Sequence, residues 1–300
     1  MAEVQILLST WNGEAWLAEL LTSLTRQSFA DWELLVRDDG SQDQTLKIIL
    51  EWQREYPYHS SKLITDGEHL GSTQSFGRLV EHSTAPYLMF CDQDDIWFPE
   101  KIEFSLAALK RLELGLGVTT PALVHTDMAV VDEAKELAAV SFWTLRSFDV
   151  EQRKQAYLLT NVVSGCASIF NRAAAEKAFP VPEPAIQHDR WLALVCAWFG
   201  QIYALPQPLL FYRQHANNQI GAELQSIPST EIAVRVDAWS RQAEAFLQRY
   251  GDELAQADYR LVAALAALQY LKGWERRRHI VQHRLFKQGI LANLALLLFA

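Results

Sequence analysis

Acidic side chains gather in three short segments whose types and spacing suit phosphate and sugar chemistry: Asp38-Asp39-Gly40-Ser41, Asp92-Gln93-Asp94-Asp95 and His188-Asp189-Arg190-Trp191. A fourth polar segment, Ser9-Thr10-Trp11-Asn12-Gly13, is uncharged but offers hydroxyl, amide and aromatic groups. An Asp-x-Asp directly after an apolar run places two carboxylates within reach of one hard, oxygen-seeking cation, which favours Mg²⁺ or Mn²⁺ over zinc. Carboxylates crowded together repel one another, and a divalent cation or donors from a ligand would offset that repulsion. Plainer roles are open to several of them. Asp38 and Asp39 could form a turn and cap a helix beginning near Gln42, Asp95 could cap a helix starting around Pro99, and Asp189 could cap the helix carrying Trp191, Leu192, Leu194 and Val195. Capping uses one carboxylate per helix and leaves Asp92 and Asp94 without a role.

The elements that would position these groups are legible from apolar periodicity. Residues 4–8, 33–36, 62–65 and 87–91 read as short buried strands. Helical spacing runs through 14–27, through the segment bearing Leu46, Ile48, Ile49 and Trp52, and through 73–81. Strand and helix alternating at such intervals predict parallel strands joined by right-handed crossovers. Ligands bind such sheets beyond the carboxyl ends of the strands, which is where three of the polar segments fall. Further strands are expected at 123–125 and 202–205, helices at about 98–112 and 189–199, and an irregular excursion over 141–158. From about residue 231 the pattern is wholly helical. A seam near 221–228 divides the chain into residues 1–221 and a helical extension, 222–300.

With 50% apolar and 21% charged residues, the composition is that of a globular protein and excludes a disordered or collagen-like chain. The formal charge, 27 basic against 36 acidic residues, is −9. A chain of that sign is not expected to bind nucleic acid non-specifically. Cys91, Cys166 and Cys196 are odd in number, far apart and set in apolar runs, so buried thiols are expected rather than disulfides or a zinc knuckle. The first ten residues have too short an apolar run for a signal peptide, and no stretch reaches the length of a membrane span, so a cytoplasmic protein is expected.

Taken in order, Ser9 to Gly13, Val36 to Ser41, Cys91 to Trp97 and His188 to Trp191 resemble the motifs of family 2 glycosyltransferases with the GT-A fold. The nearest likeness is to the bacterial rhamnosyl- and galactosyltransferases of surface polysaccharide synthesis, such as O-antigen. The resemblance spans roughly residues 1–220. It implies an α/β fold with a mostly parallel central sheet flanked by helices and followed by a helical extension. It further implies that Thr10, Trp11, Asn12 and Glu14 lie against the donor base and ribose, that Asp38, with Asp39 beside it, meets the pyrimidine, and that Gly71 serves the donor loop through its backbone. By the same resemblance Asp92 contacts the ribose, while Asp94 and Asp95 hold a metal bridging the diphosphate. His215, in Tyr212-Arg213-Gln214-His215 before Asn217, Asn218 and Gly221, would add a metal ligand, although its type equally suits a surface loop. Asp189 would be the catalytic base. Gly165 and Cys166 with His188 and Trp191 would face the acceptor, although a tryptophan among aliphatics also suits a core. Two departures stand out: Trp11 where tyrosine or phenylalanine is commoner, and His69-Leu70-Gly71 where asparagine often precedes leucine and glycine.

The implied activity is transfer of a sugar, most plausibly rhamnose, from a dTDP- or UDP-linked donor to a saccharide or lipid-linked acceptor. With a single base and no second nucleophilic carboxylate, the expected course inverts the anomeric carbon. A non-catalytic nucleotide-binding scaffold is the alternative. A nucleotidyltransferase would need a glycine-rich phosphate loop, which residues 10–17 lack.

From Lys272 onward six basic residues face only Glu275, giving the tail +5 and the remainder −14. Arginines interleaved there with Trp274, Ile280, Val281 and Phe286 suggest a basic amphipathic helix for the inner face of a membrane. A terminal helix packed on the domain or on a second subunit is the competing reading. His279 and His283, four apart and without a third ligand, read as solvated rather than metal-binding. Oligomeric state is not legible.

Overall fold

In β1 (Val4–Thr10), Val4, Ile6 and Leu8 face one side of the sheet and Leu7 the other, and all four are fully buried. The same two-residue alternation splits Leu34 and Val36 from Leu35 in β2 (Trp32–Asp38), and Met89 and Cys91 from Leu88 and Phe90 in β4 (Tyr87–Asp92). Strands apolar on both faces must be covered on both. The computed structural model, which describes residues 2–215, 229–287 and 290–299, shows how. One face is covered by α1 (Leu17–Leu24), α2 (Thr45–Glu55), α4 (Lys101–Leu116) and α5 (Phe142–Arg146). The other is covered by α3 (Gly71–His82), α6 (Arg172–Ala178), α7 (His188–Phe199) and, outside α7, α8 (Ser229–Tyr250) with α9 (Gln256–Ala266).

The sheet runs β3 (Ser61–Ile64), β2, β1, β4, β8 (Ser168–Asn171), β6 (Ala122–Val131), β9 (Gln201–Arg213), β5 (Ile96–Trp97), with β7 (Leu137–Ala139) on β6. β3, β2, β1 and β4 are parallel, as expected. Beyond them the sheet is mixed: β8 is antiparallel to both its neighbours, and β6 and β9 are parallel to each other and longer than their apolar cores suggested. Gly200 turns α7 into β9, and a Cβ there would fall 1.7 Å from the Pro121 carbonyl oxygen, so only glycine allows this approach.

The helical extension continues the core. Trp191 of α7 contacts the rings of Phe246 and Tyr250 on α8, and the Arg249 guanidinium donates to the Phe179 carbonyl. The tail is not the single amphipathic helix expected. It folds as α10 (Gly273–Gln282) and α11 (Ile290–Phe299), and Ile280, Leu285 and Leu296 join the core. Part of its charge is used internally: Arg276 is buried against Asp237 at 2.7 Å, and Arg277 donates to the Leu298 carbonyl. His279 sits with Nε2 2.8 Å from the Ala264 carbonyl oxygen, its ring beside that of His283. The seam expected at 221–228, with Asn217, Asn218 and Gly221, lies outside the described residues. All three cysteines are buried and free. Among the described residues no helix is long and apolar enough to cross a membrane.

Candidate active site

The strand register sets the site. Thr10 lies opposite Asp38, and Ser9 opposite both Arg37 and Asp92, so the polar ends of three adjacent parallel strands are level at one sheet edge. The first loop is held from both sides. Gln93 accepts from the Trp11 amide at 2.9 Å and donates to the Trp11 carbonyl at 3.0 Å, Asn12 accepts from the Gln42 amide, and Glu14 accepts from the Gln44 amide at 2.9 Å. A Cβ on Gly13 would fall 2.4 Å from Gln93 Oε1, so a side chain there would push Gln93 off the Trp11 backbone. This bracket leaves the Trp11 ring half exposed, 5.4 Å from His69.

Asp38 and Asp39 do not cap a helix at Gln42, because α2 begins at Thr45 and Asp43 supplies the acceptor for the Thr45 amide. Asp38 is buried, accepting from the hydroxyls of Thr10 and Ser41 through Oδ1 and from the amides of Gly40 and Ser41 through Oδ2. Contact with a nucleotide base therefore requires it to give up one of these. Asp39, expected at the donor, instead turns inward. It accepts from Arg37 at 2.5 Å, Ser75, and the amides of Leu70 and Gly71, pinning the 69–71 loop. Burial alone would raise its carboxyl, but Arg37 and those amides hold it below the usual range. Arg37, fully buried, also grips Asp66. Gly71 adopts φ +72°, a left-handed conformation that favours glycine, as its amide meets Asp39. Arg37 and the turn donors therefore satisfy Asp38 and Asp39, and the need for a cation narrows to Asp92, Asp94 and Asp95.

These three divide. Asp94 Oδ2 lies 2.8 Å from His215 Nε2, and His215 stacks on Trp16. Arg213 fixes this corner, donating to the Asp94 and Glu133 carbonyls and to the Glu19 carboxylate with its guanidinium over the Trp16 ring. Asp95 does not cap α4, which starts at Lys101. It is fully buried, its two oxygens have no hydrogen-bond partner, and it gathers with Asp92 and Cys166 so that their ligand atoms lie within 4.8 Å of one another. Asp94, Asp95 and His215 thus do not form the single ligand sphere expected, because Asp95 points inward. Unpartnered carboxylate oxygens beside a second carboxylate fit a divalent cation. Burial, then the charges of Asp94 and Asp189, push the Asp92 carboxyl up, and burial pushes up that of Asp95.

Asp189, in the first turn of α7, lies near enough to Asp92 for its charge to push that carboxyl up. It is not the N-cap, which is Gln187. Its Oδ2 accepts from the Gly165 amide at 3.0 Å and its Oδ1 from the Arg190 amide. Burial raises its carboxyl to about 6 despite these two bonds. A Cβ on Gly165 would press on His188 Nε2 at 3.1 Å and on Asp189 Cβ at 3.3 Å.

The acceptor-side expectations need correction. His188 is buried between Phe76, stacked at 4.1 Å, and Phe90, edge-on at 4.6 Å, and burial lowers its pKa to about 3. Trp191 is fully buried, its indole N–H donating to the Ala178 carbonyl. Cys166 lies beneath Asp92 and Asp95, 2% exposed. These side chains and Gly165 support Asp189 and the carboxylates from below rather than facing an acceptor. Residue type alone does not announce the parts played by Gln93, Arg37, Arg213, Trp16 and the buried Lys101, although Arg37, Gln93 and Arg213 lie inside recognised motifs.

Comparison with known proteins agrees with this geometry. Residues 5–179 match Glycosyl transferase family 2, and the chain belongs to that family. It is 26% identical over 233 residues to the dTDP-rhamnosyl transferase RfbG of Shigella flexneri, covering 72% of this chain and 74% of that one. It is 29% identical over 106 residues to the β-1,3-glucosyltransferase WfgD of Escherichia coli, covering 35% and 40%. Among solved structures, S. aureus TarS in complex with UDP-GlcNAc superposes with a TM-score of 0.59 at 15% identity, covering 94% of this chain and 79% of that one. The mannosyltransferase PcManGT of Pyrobaculum calidifontis, with GDP-Man and Mn²⁺, gives 0.59 at 14% identity, covering 99% and 86%. The fold is GT-A, and the protein is a glycosyltransferase.

Proposed function

We propose that the chain is a metal-dependent, inverting hexosyltransferase that moves rhamnose from dTDP-rhamnose to a saccharide or lipid-linked acceptor in cell-surface polysaccharide assembly. The observation that carries the reading is Asp189, held by the Gly165 amide and near enough to Asp92 to raise that carboxyl. The rhamnosyl donor rests on the similarity to RfbG. The divalent ion, Mg²⁺ or Mn²⁺, would be held by the Asp92 and Asp95 carboxylates, while Asp94 engages His215 at the rim. When bound it supplies charge stabilisation for the leaving diphosphate, an effect larger in the transition state than in the ground state. Trp11 offers its exposed ring to the base. Asp189, ionised above about pH 6, accepts the acceptor hydroxyl's proton as the new glycosidic bond forms. The Gly165 amide holds its Oδ2 in place.

The domain division at residue 221 and attachment to a membrane surface belong to the same proposal. Trp274, Val281 and Phe286 are exposed beside Lys272, Arg278 and Arg284, a patch suited to an anionic bilayer near a lipid-linked acceptor. Co-sedimentation of the full chain with anionic vesicles, lost on Trp274→Glu with Arg278→Glu, tests it. Transfer is tested by supplying dTDP-rhamnose, UDP-glucose and UDP-GlcNAc with Mn²⁺ or Mg²⁺ and measuring nucleoside diphosphate release. Turnover only with a UDP-sugar would refute the donor, and full turnover in EDTA the metal.

A further inference from the structure

Trp16 stands just past the first loop, where the Gly13 carbonyl accepts from its amide at 3.1 Å and from that of Leu17 at 3.0 Å as α1 opens. Its half-buried ring carries two residues from the carboxyl end of β9 and just beyond it. The Arg213 guanidinium lies over the ring, 4.6 Å from its centroid, and the His215 ring is stacked on it at 5.5 Å with 24° between the planes. Each of the two grips Asp94. Arg213 Nε donates to its carbonyl at 3.1 Å, and His215 Nε2 donates to its carboxylate at 2.8 Å. Arg213 is itself buried and braced, since its other nitrogens donate to the Glu133 carbonyl and the Glu19 carboxylate, which Lys135 Nζ also meets at 2.8 Å. Backbone and side chain of Asp94 therefore both lean, through one residue each, on a single indole ring.

We propose that Trp16 is a positioning residue for the donor: by supporting Arg213 and His215 it fixes Asp94 relative to the loop that bears Trp11, and so sets the spacing of the two walls between which a nucleoside diphosphate lies. The proposal rests on the glycosyltransferase reading above. The ring belongs to the same segment as Trp11, five residues further on, while Asp94 belongs to the acidic segment beyond β4. A π face opposite a desolvated guanidinium and a second ring holds both in place without being spent on the ligand. Without it the two side chains regain rotameric freedom, which ligand binding would then have to remove.

Calorimetric titration of dTDP and of UDP, each with Mn²⁺, into the full-length protein tests the proposal. Trp16→Ala should weaken the tighter of the two about tenfold at unchanged stoichiometry, the worth of a desolvated cation–π contact. Trp16→Phe keeps a π face and should return the affinity to within about threefold of wild type. Arg213→Gln, which removes one grip and leaves the ring, should weaken binding in the same direction as Trp16→Ala. Structural damage alone lowers the fraction of protein able to bind, and hence the stoichiometry, while the folded fraction keeps its affinity. Wild-type affinity in Trp16→Ala or in Arg213→Gln overturns the proposal, as does Trp16→Phe binding as weakly as Trp16→Ala. If Trp16→Ala does not fold, Trp16→Leu, which fills the space without a π face, takes its place with the same expected loss. Wild-type protein that binds neither dTDP nor UDP would instead overturn the donor site itself, and this inference with it.

Discussion

Replacing Asp189 by asparagine should stop transfer and, above neutral pH, make the protein more stable. Burial lifts this carboxyl from 3.8 to about 6. A raised folded-state value means that protonation favours the fold. The associated stability is fully present below pH 3.8 and lost as pH rises through about 6. Raised by about 2 from its ordinary value, the ionised group costs up to about 3 kcal/mol at pH 8. Asparagine cannot ionise and escapes that cost, but it offers one acceptor oxygen where the amides of Gly165 and Arg190 now find two. One donor left unsatisfied costs about 1–3 kcal/mol. The net gain at pH 8 is about 1 kcal/mol, or a rise in melting temperature of about 2–4 °C for a chain of this size. At pH 4 the folded carboxyl is almost wholly neutral and the unfolded one about three-fifths ionised, so the cost of ionisation falls to about 0.6 kcal/mol, below that of the unsatisfied donor, and the variant should be the less stable. Melting curves at pH 4, 6 and 8 should therefore cross. Nucleoside diphosphate release should fall about 10²–10⁴-fold, the usual worth of a general base. Wild-type kcat/KM should rise with pH through about 6. A variant less stable than wild type by the same margin at every pH, or one that turns over within tenfold of wild type, would refute the placement of the base.

Three further outcomes follow from the geometry. Gln93→Ala removes both hydrogen bonds on the Trp11 backbone and should raise the donor KM several-fold while leaving the melting temperature within a few degrees. An unchanged KM would show that the bracket does not serve the donor. Trp11→Ala should weaken nucleotide binding by about 1–3 kcal/mol, the range of base–aromatic stacking, with Trp11→Phe largely restoring it by calorimetry. Gly200→Ala, whose new methyl collides with the Pro121 carbonyl, should cost about 3 kcal/mol or more in denaturant unfolding; a smaller loss would mean that the turn has room to shift.

The apolar alternation of residues 4–8 and 87–91 made the parallel half of the sheet legible, because strands covered on both faces leave an unbroken hydrophobic signature. The mixed half was not, since β8 is only four residues long and its direction is decided by what lies on either side of it. At the site, the D-x-D carboxylates stood out by residue type and spacing and Asp189 by the family resemblance, and their roles are proposals. The roles of His188 and Trp191 could not be read, because their burial depends on Phe76, Phe90, Phe246 and Tyr250, all remote in sequence. Asp39 was misread for a similar reason. Its charge is answered by Arg37, two residues earlier on the same chain, and only the fold shows the guanidinium turned back on it. Lys101 left no trace in the sequence, as a lysine at the start of a helix ordinarily points to water.

α7 joins two territories. Its first turn presents Asp189 to the cleft, while two residues on Trp191 is wedged against Phe246 and Tyr250 of α8. The carboxylate proposed to receive the proton is thus anchored from behind by a segment outside the family match. Changes in that rear wall, far from any sugar, would tilt the helix and shift the reacting oxygen by fractions of an ångström, so turnover can be lost there while nucleotide affinity is preserved.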